Sequence, residues 1–526
     1  MTDQPISNIV IVGGGSAGWI TAGLLASAYP RSGPGAVAVT VIESPDVKTI
    51  GVGEGTWPTM RATLRRIGLG EREFLQTCSA SLKQGTRFCG WVSGADDDVY
   101  YHPFTVPAGY PGTGLLAWWQ QQGGRMRFAD AVTPQGRVCD RGLAPKLAAT
   151  PDYAHVLNYG YHLDAGKFAD LLKTHCIDRL QVRHLVDHVT GIDGAPDQDI
   201  RALNLANSGP LAADLFIDCT GQSSLLLGRH YGIELISQDH ILFNDRALAV
   251  QVPYARPGSP VESQTNSTAQ AAGWVWDIGL SSRRGIGYVY SSGHCDDDQA
   301  EQTLRQYLAR TSALDPASVA PRKLAFTPGY RARFWHRNCV AVGMSAGFIE
   351  PLEASALVMI ELAAAAITDE LPATRATMDT VARRFNTRFG ERWERIIDFL
   401  KLHYVLSRRE DSDYWIDNRR AESMPEHLAE AIELWRDRFP GPSDFARVDE
   451  IFSAASYQYV LYGMGFETRP RPRAGQAVEI EQGRALHLEI ERQSRRLLAQ
   501  LPDNRGYLSE IAGPASAPSG PVVAGI

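Results

Sequence analysis

The sequence predicts an α/β protein, with a nucleotide-binding core and added segments over residues 1–370 and a mostly helical part over 371–505. Three observations carry that prediction. A β-branched run meets a glycine cluster and then a helical pattern at the N-terminus. Strand-like and helix-like runs alternate as far as about residue 370, as in a sheet covered by helices. From about Thr374 to Phe466 strand signals thin out and helical periodicity takes over.

Asn8-Ile-Val-Ile-Val12 is apolar on both faces, as a buried parallel strand should be. It runs into Gly13-Gly14-Gly15-Ser16-Ala17-Gly18, and a helical pattern follows from Trp19 to Ala28, stopped by Pro30. Strand, G-x-G-x-x-G and helix together make a Rossmann-like fingerprint. Gly13 permits the tight turn, Gly15 lets the backbone approach a pyrophosphate, and Gly18 lets the helix sit close to the sheet. The helix start at Ser16 and Ala17 supplies amide hydrogens and the positive end of the helix dipole. A second strand, Val37 to Ile42, ends at Glu43, an acid placed to accept hydrogen bonds from a ribose. The fingerprint does not separate FAD from NAD. Ala213 to Gly221, an apolar strand running into Cys-Thr-Gly, resembles the second nucleotide-contact strand of FAD-dependent monooxygenases.

Further along, an extended Leu82–Cys89 puts Lys83, Gly85, Arg87 and Cys89 on one face and Leu82 and Phe88 on the other. Residues 92–150, rich in Gly, Pro and aromatics, read as an irregular substrate-covering insertion, and 235–330 as a second one. Within the latter, Trp274, Trp276 and Ile278 share one face of a strand by period two. Gly285–Ser292 reads as its hairpin partner across Ser281–Arg284. Glu467 to Gly475 is an extended connector, Glu479–Leu501 a charged amphipathic helix, and 506–526 a disordered tail.

Composition limits the function classes. Lys and Arg number 52 against 59 Asp and Glu, a net charge of −7, which argues against broad binding of nucleic-acid backbone. Hydrophobic residues at 44% exclude a mainly disordered chain. The most apolar stretch, Ala354–Ile367, carries Glu361 and falls short of the ~20 residues that span a bilayer. No leader-like segment precedes the first strand, and the seven cysteines form no C-x-x-C pair. A reduced, cytoplasmic protein without membrane association is the expectation. The histidines show no H-E-x-x-H or finger-like spacing, so no protein-bound metal is expected. Gly343-Met-Ser-Ala-Gly347 matches the G-x-S-x-G of serine hydrolases, but Gly14–Gly18 matches it too and Pro351 interrupts the helix an elbow would need.

Three segments together resemble the flavin-dependent tryptophan halogenase family. They are Ile50-Gly-Val-Gly-Glu-Gly-Thr-Trp-Pro58 with Leu82–Phe88, Gly273-Trp-Val-Trp-Asp-Ile-Gly-Leu280, and Gly343-Met-Ser-Ala-Gly-Phe-Ile-Glu-Pro-Leu-Glu-Ala-Ser-Ala356. Ile397–Val405 and Ser456–Gly465 are similar to helical stretches of the same family. The resemblance implies an FAD-binding core of the flavin monooxygenase type with a mostly helical substrate-binding part. It implies FADH2 delivered by a separate NAD(P)H flavin reductase, and hypohalous acid made from oxygen and chloride or bromide. That oxidant crosses a tunnel to a small aromatic substrate, an indole or tryptophan-like compound. A homodimer is the oligomer it implies.

By position, Lys83 matches the family's essential lysine, and the resemblance gives it the hypohalous acid, either by hydrogen bonding as the cation or by forming a haloamine when neutral. Glu353 matches the substrate-facing glutamate, which stabilises the arenium cation and takes its proton. A helix-start glutamate favoured by the dipole is the structural alternative for Glu353. Ser355 and Ala356 match the backbone halide site, Gly343 a cofactor contact, and Trp274, Trp276 and Ile278 the divide between flavin and substrate. Gly279 stands where the family pattern W-x-W-x-I-P has proline, and Ala354 where serine is usual. An FAD-dependent aromatic hydroxylase and a catalytically silent flavin-binding protein are the rival readings.

Overall fold

The computed structural model of the chain describes residues 5–47, 53–447 and 449–512. A six-stranded sheet runs in the order Trp335–His336, Cys339–Ala341, Leu215–Asp218, Asn8–Val12, Ala38–Glu43 and Arg183–Val186. Its strands are parallel except for the Trp335–His336 edge. Asn8–Val12 lies in the middle, covered on both faces, and this is why its apolar run does not alternate. The helix Ser16–Ala28 lies across the sheet and packs against the helices Ser355–Asp369 and Ala165–Asp178.

The segment 235–330 supplies most of a second, seven-stranded sheet, ordered Arg322–Ala325, Arg246–Pro253, Arg283–Tyr290, Gly273–Gly279, Thr265–Gln270, Gly85–Cys89 and Val99–Pro103. Trp274, Trp276 and Ile278 face the main core, while Val275 turns to a second cluster under the helix Asp297–Thr311. Their period-two placement therefore holds. The hairpin partner is Arg283–Tyr290, two residues earlier than expected, because Leu280 N donates to Arg283 O and closes a tighter turn.

A third sheet, Gly53–Gly55, Gly160–Asp164 and Ser81–Lys83, packs its Gly53–Gly55 strand against Gly273–Gly279 and Arg283–Tyr290 of the second. It overturns the single-face reading of Leu82–Cys89. Ser81–Lys83 and Gly85–Cys89 belong to different sheets, and the chain bends between them. Gln84 N donates to Ser263 O at 2.7 Å and Gln84 O accepts from Phe104 N at 3.0 Å, while Gly85 takes φ +146°. A Cβ at Gly85 would lie 2.4 Å from His102 O, so glycine makes the bend possible. Past it, Thr86 turns toward the Glu353 carboxylate, which Lys83 also faces, whereas Arg87 and Cys89 line an outer cleft.

Residues 92–150 are more regular than their composition implied. They hold the strand Val99–Pro103 and the helices Gly114–Gln121, Phe128–Val132 and Gln135–Asp140. Their glycines and aromatics serve close packing against the C-terminal helix Gln476–Gln500. A Cβ on Gly483 would lie 2.3 Å from Gly114 O, and the Trp118 ring stacks on His487 at 4.4 Å. The C-terminal part is helical as expected, led by the 31-residue helix Arg375–Val405. The tail boundary at 506 is corrected: Asn504–Ala512 is a helix whose Tyr507, Leu508 and Ile511 are buried. Residues 513–526, and Ile50 to Val52 of the first family-like segment, lie outside the described residues.

Candidate active site

The glycine cluster behaves as three separate devices. Gly13 has φ +122°, and a Cβ there would sit 2.2 Å from Cys219 O. A Cβ on Gly18 would lie 1.9 Å from Gly13 O, so only glycine brings the helix this close. Above Gly15 no heavy atom lies within 4 Å of where a Cβ would be. That open space adjoins the first turn of the helix, whose cap receives no side-chain hydrogen bond, so the amides of its first turn are available to an anion. The donors and the space fit a pyrophosphate. Gly343, φ +73°, brings its loop against this helix start, with Ala17 Cβ 3.0 Å from a Cβ placed on it. Glu43 ends its strand beside Gly14, but one oxygen lies 2.8 Å from His184 Nε2 and the other 3.7 Å from Lys173 Nζ. A ribose would share this acid with two basic side chains. Ser345 is buried in a short 3-10 turn and forms no nucleophile elbow.

Glu353 lies in a differently built place. Glu353 and Ala354 are consecutive left-handed residues, at φ 63°, ψ 10° and φ 56°, ψ 45°. For residues with a Cβ this costs about 1–2 kcal/mol each. Trp57 Nε1 donates to Glu353 O at 2.8 Å and Ala354 N to Pro351 O at 3.0 Å, which fixes the bend. The helix begins only at Ser355, so Glu353 is not a first-turn glutamate, and the structural alternative loses its geometry. The residue is 4% exposed. Its Oε1 lies 2.7 Å from His102 Nδ1 and 3.6 Å from His403 Nε2, and its Oε2 accepts from Thr86 Oγ1 at 3.2 Å. Burial pushes the carboxyl up, but His102 first, then His403 and Lys83, outweigh it and leave Glu353 below the ordinary glutamate range.

Lys83, 1% exposed, is brought to the same place from the third sheet. A Cβ placed on Gly55 would lie 3.0 Å from Lys83 Nζ and 3.4 Å from Ala354 Cβ, so this glycine leaves room for the amine beside the bend. The Phe104 ring centre is 5.3 Å from Nζ. Burial lowers the Lys83 pKa to about 8, opposed by the attraction of Glu353. Around the pair stand Trp57, Phe104 and Phe452, with ring centres 5.3 and 5.2 Å from Trp57. Ser355 and Ala356 are separate from that aromatic surround: with Gly343, Phe348 and Ile349 they line a narrow apolar cavity of about 50 Å³. Trp274 Nε1 donates to Glu350 Oε2 at 2.7 Å, and the Trp274 and Trp276 rings meet at 6.4 Å. A Cβ on Gly279 would come within 3.2 Å of Glu262 N and Tyr254 Oη, and Gly279 O accepts from Ser81 Oγ at 2.5 Å. Close packing and that bond hold the position where the family pattern has proline.

Sequence reasoning missed His102, His403, Thr86, Trp57 and Phe104. The aromatic run Tyr100-Tyr-His-Pro-Phe104 inside the supposedly irregular insertion was the signal for two of them. Nothing in the spacing links Thr86 or His403 to Glu353.

A model of the family described as tryptophan halogenase matches residues 8–479. The chain belongs to the tryptophan halogenase family. It is 32% identical to Tryptophan 6-halogenase SttH of Streptomyces toxytricini, over 90% of this chain and 92% of that protein. Among solved structures, a tryptophan halogenase from Shewanella frigidimarina shares 46% identity at TM-score 0.93, covering 97% of this halogenase and 98% of that chain. BrvH, a flavin-dependent halogenase from Brevundimonas, shares 32% identity at TM-score 0.84, covering 96% and 99%. This halogenase is thus an FADH2- and halide-using enzyme with the α/β core and helical part expected. Among the described residues, no group of three or more His, Cys, Asp or Glu side chains is placed to hold a metal, and no helix is long and apolar enough to cross a membrane.

Proposed function

We propose that this halogenase acts on tryptophan or a related indole, with Lys83 and Glu353 as its catalytic pair. The observation that carries this is the convergence of a buried lysine, a buried ionised glutamate and an aromatic surround, delivered by separate parts of the chain. The open space above Gly15, with Gly13, Ser16, Ala17, Gly18, Glu43 and Gly343, holds FAD. Bound reduced FAD, with oxygen and halide, supplies hypohalous acid. The amides of Ser355 and Ala356 hold the halide at the start of their helix. Trp274, Trp276 and Ile278 form the wall between cofactor and substrate.

Lys83 acts as a cation at neutral pH, since its pKa of about 8 leaves it mostly protonated. Its ammonium donates to the oxygen of hypohalous acid and makes the halogen more electrophilic. As the ring carbon takes the halogen, the oxygen–halogen bond breaks and the oxygen leaves as water with the proton given by the Lys83 ammonium, which regains one as the proton later taken by Glu353 is passed on. The Glu353 carboxylate stabilises the cationic ring and accepts the proton from the halogenated carbon, restoring aromaticity. A separate reductase delivers FADH2 by diffusion, which fits one dinucleotide fingerprint in the chain. Seven unpaired cysteines favour the reducing cytoplasm. A homodimer is the oligomer we propose, to be read by light scattering.

The test is purified protein with an independent flavin reductase, NADH, oxygen, chloride or bromide, and a panel of indoles, read by mass spectrometry. A halogen isotope pattern supports the proposal. An added oxygen, or no product from any indole, overturns it. Bleaching of bound flavin by NADH without the reductase overturns the separate supply.

A further inference from the structure

Glu353 has a second histidine beside it, and that histidine is held from behind. His403, on the helix Arg375–Val405, is fully buried and stacks on Phe88 with ring centres 4.7 Å apart. Its Nδ1 lies 2.7 Å from Tyr100 Oη, and its Nε2 is 3.6 Å from Glu353 Oε1 with no hydrogen-bond partner of its own. Tyr100 also stacks on Phe88, at 4.6 Å and 5° between the rings, and its ring centre is 6.2 Å from that of His403. Burial first, and then the Glu353 charge, hold the Tyr100 hydroxyl well above its usual pKa, so it keeps its proton. Because the group facing Nε2 is a carboxylate, which can only accept, the phenol is the donor in the bond at Nδ1. Neutral imidazole carries one N–H, so the bond at Nδ1 places the hydrogen on Nε2, facing the carboxylate. Burial holds His403 neutral, with a pKa of about 3.

Resting on the proposed role of Glu353, we infer that His403, with its tautomer set by Tyr100, is a positioning residue that keeps Glu353 ionised and aimed at the substrate. The groups facing the carboxylate are His102 from Val99–Pro103, Thr86 from Gly85–Cys89, Lys83 from Ser81–Lys83 and His403 from Arg375–Val405. Of these, His403 is the one whose orientation depends on a further side chain rather than on its own contact with Glu353. Without the Tyr100 hydroxyl, the Nδ1–H tautomer becomes accessible, and a nitrogen lone pair then faces the carboxylate. Burial, the largest influence on Glu353, would then push its pKa up.

The test measures halogenated product per oxygen consumed between pH 5.5 and 7.5. Wild-type enzyme should be flat across this range. Tyr100→Phe keeps the ring stack and should lose about threefold or more at pH 5.5 relative to pH 7.5, the mark of a carboxyl pKa raised into the range. His403→Leu should do the same, and His403→Gln, which can present an amide N–H where Nε2 stood, should restore the flat profile. A purely structural role would lower thermal midpoint and activity equally at both pH values, with no rescue by Gln, and would overturn the inference. Glu353→Gln separates the two layers. If it keeps full product per oxygen, the reading of Glu353 fails and takes this inference with it. If it loses product per oxygen while Tyr100→Phe stays flat, the inference alone fails.

Discussion

The pocket above Gly15 and the chamber around Glu353 are built in opposite ways. The first is made of backbone: a turn, a helix start and a run of glycines, of which Gly13 and Gly18 are needed for the Cβ they lack and Gly15 leaves open space. The second is made of side chains that lie between 50 and 296 residues from Glu353 in the sequence, including Trp57, Lys83, Thr86, His102 and His403, joined at a carboxylate held on a left-handed bend. A backbone site tolerates changes in side-chain identity but not in side-chain presence. A side-chain site has the reverse sensitivity, and each member can be removed while the cofactor pocket stands. The sharpest ways to break this comparison are substitutions that should damage one region and spare the other.

The largest effect is expected at Gly18. Gly18→Ala places a methyl 1.9 Å from Gly13 O, and backbone has no rotamer by which to yield. Flavin binding should be lost, with a fall in thermal midpoint from the ~1–3 kcal/mol or more that overpacking costs. Flavin titration and a melt on one preparation check it. Unchanged affinity would show that the glycine contact is slack. Lys83→Ala comes next and should abolish halogenated product while flavin affinity and oxygen consumption persist, since Lys83 lies outside the glycine turn. Product at the wild-type level in the folded variant would remove the lysine from the mechanism.

The contrast also explains what was legible in the sequence. Gly13, Gly15 and Gly18 were readable because their chemistry is local: strand, turn and helix succeed one another, and each glycine's task follows from that order. Trp274, Trp276 and Ile278 were readable because a strand alternates. The extrapolation across Leu82–Cys89 failed for the same physical reason that the chamber exists. The bend at Gln84–Gly85 moves the chain from one sheet to another, and it turns Lys83 and Thr86 to the same carboxylate. Lys83 and Glu353 are proposed on resemblance rather than on pattern, and His403 escaped because no spacing rule joins residue 403 to 353. Residues 92–150 looked irregular because their small and aromatic residues are chosen by contact with the distant helix Gln476–Gln500, not by local periodicity.

Glu353→Gln should lower turnover by ~10²–10⁴, the range for a positioned acid–base or charge-stabilising group. Oxygen consumption should continue, so product per oxygen falls and leaked oxidant rises. An unaltered ratio would move the catalytic role elsewhere. The ionisation of Lys83 gives a smaller and graded effect. Its pKa is lowered to about 8, so its cation is lost as pH rises through that value. Product per oxygen should therefore decline above about pH 8. A rise instead would favour the neutral amine and a haloamine route.

The smallest effect is expected at Ala354, and it tests whether the bend is functional or merely tolerated. Ala354 at φ 56° carries a cost of about 1–2 kcal/mol that glycine would not. Ala354→Gly removes that cost but adds about 0.5–1 kcal/mol of unfolded-chain entropy, so the net gain in stability should be small, about 1 kcal/mol or less. The catalytic consequence has the opposite sign. The methyl and the left-handed backbone together restrict the Glu353–Ala354 peptide, and glycine opens other conformations to it. If one of these lies within about 1 kcal/mol of the present one, Glu353 is misplaced in an appreciable fraction of turnovers. Product per oxygen should then drop, by up to about fivefold for a comparable change in barrier. A melt and a coupled oxygen–product assay on the same variant read both quantities. A higher midpoint together with lower coupling would mark the strain as part of the mechanism, because the conformation that costs stability is the one that aims the carboxylate. A higher midpoint with unchanged coupling would show that His102, Thr86 and Trp57 hold Glu353 without help from the bend.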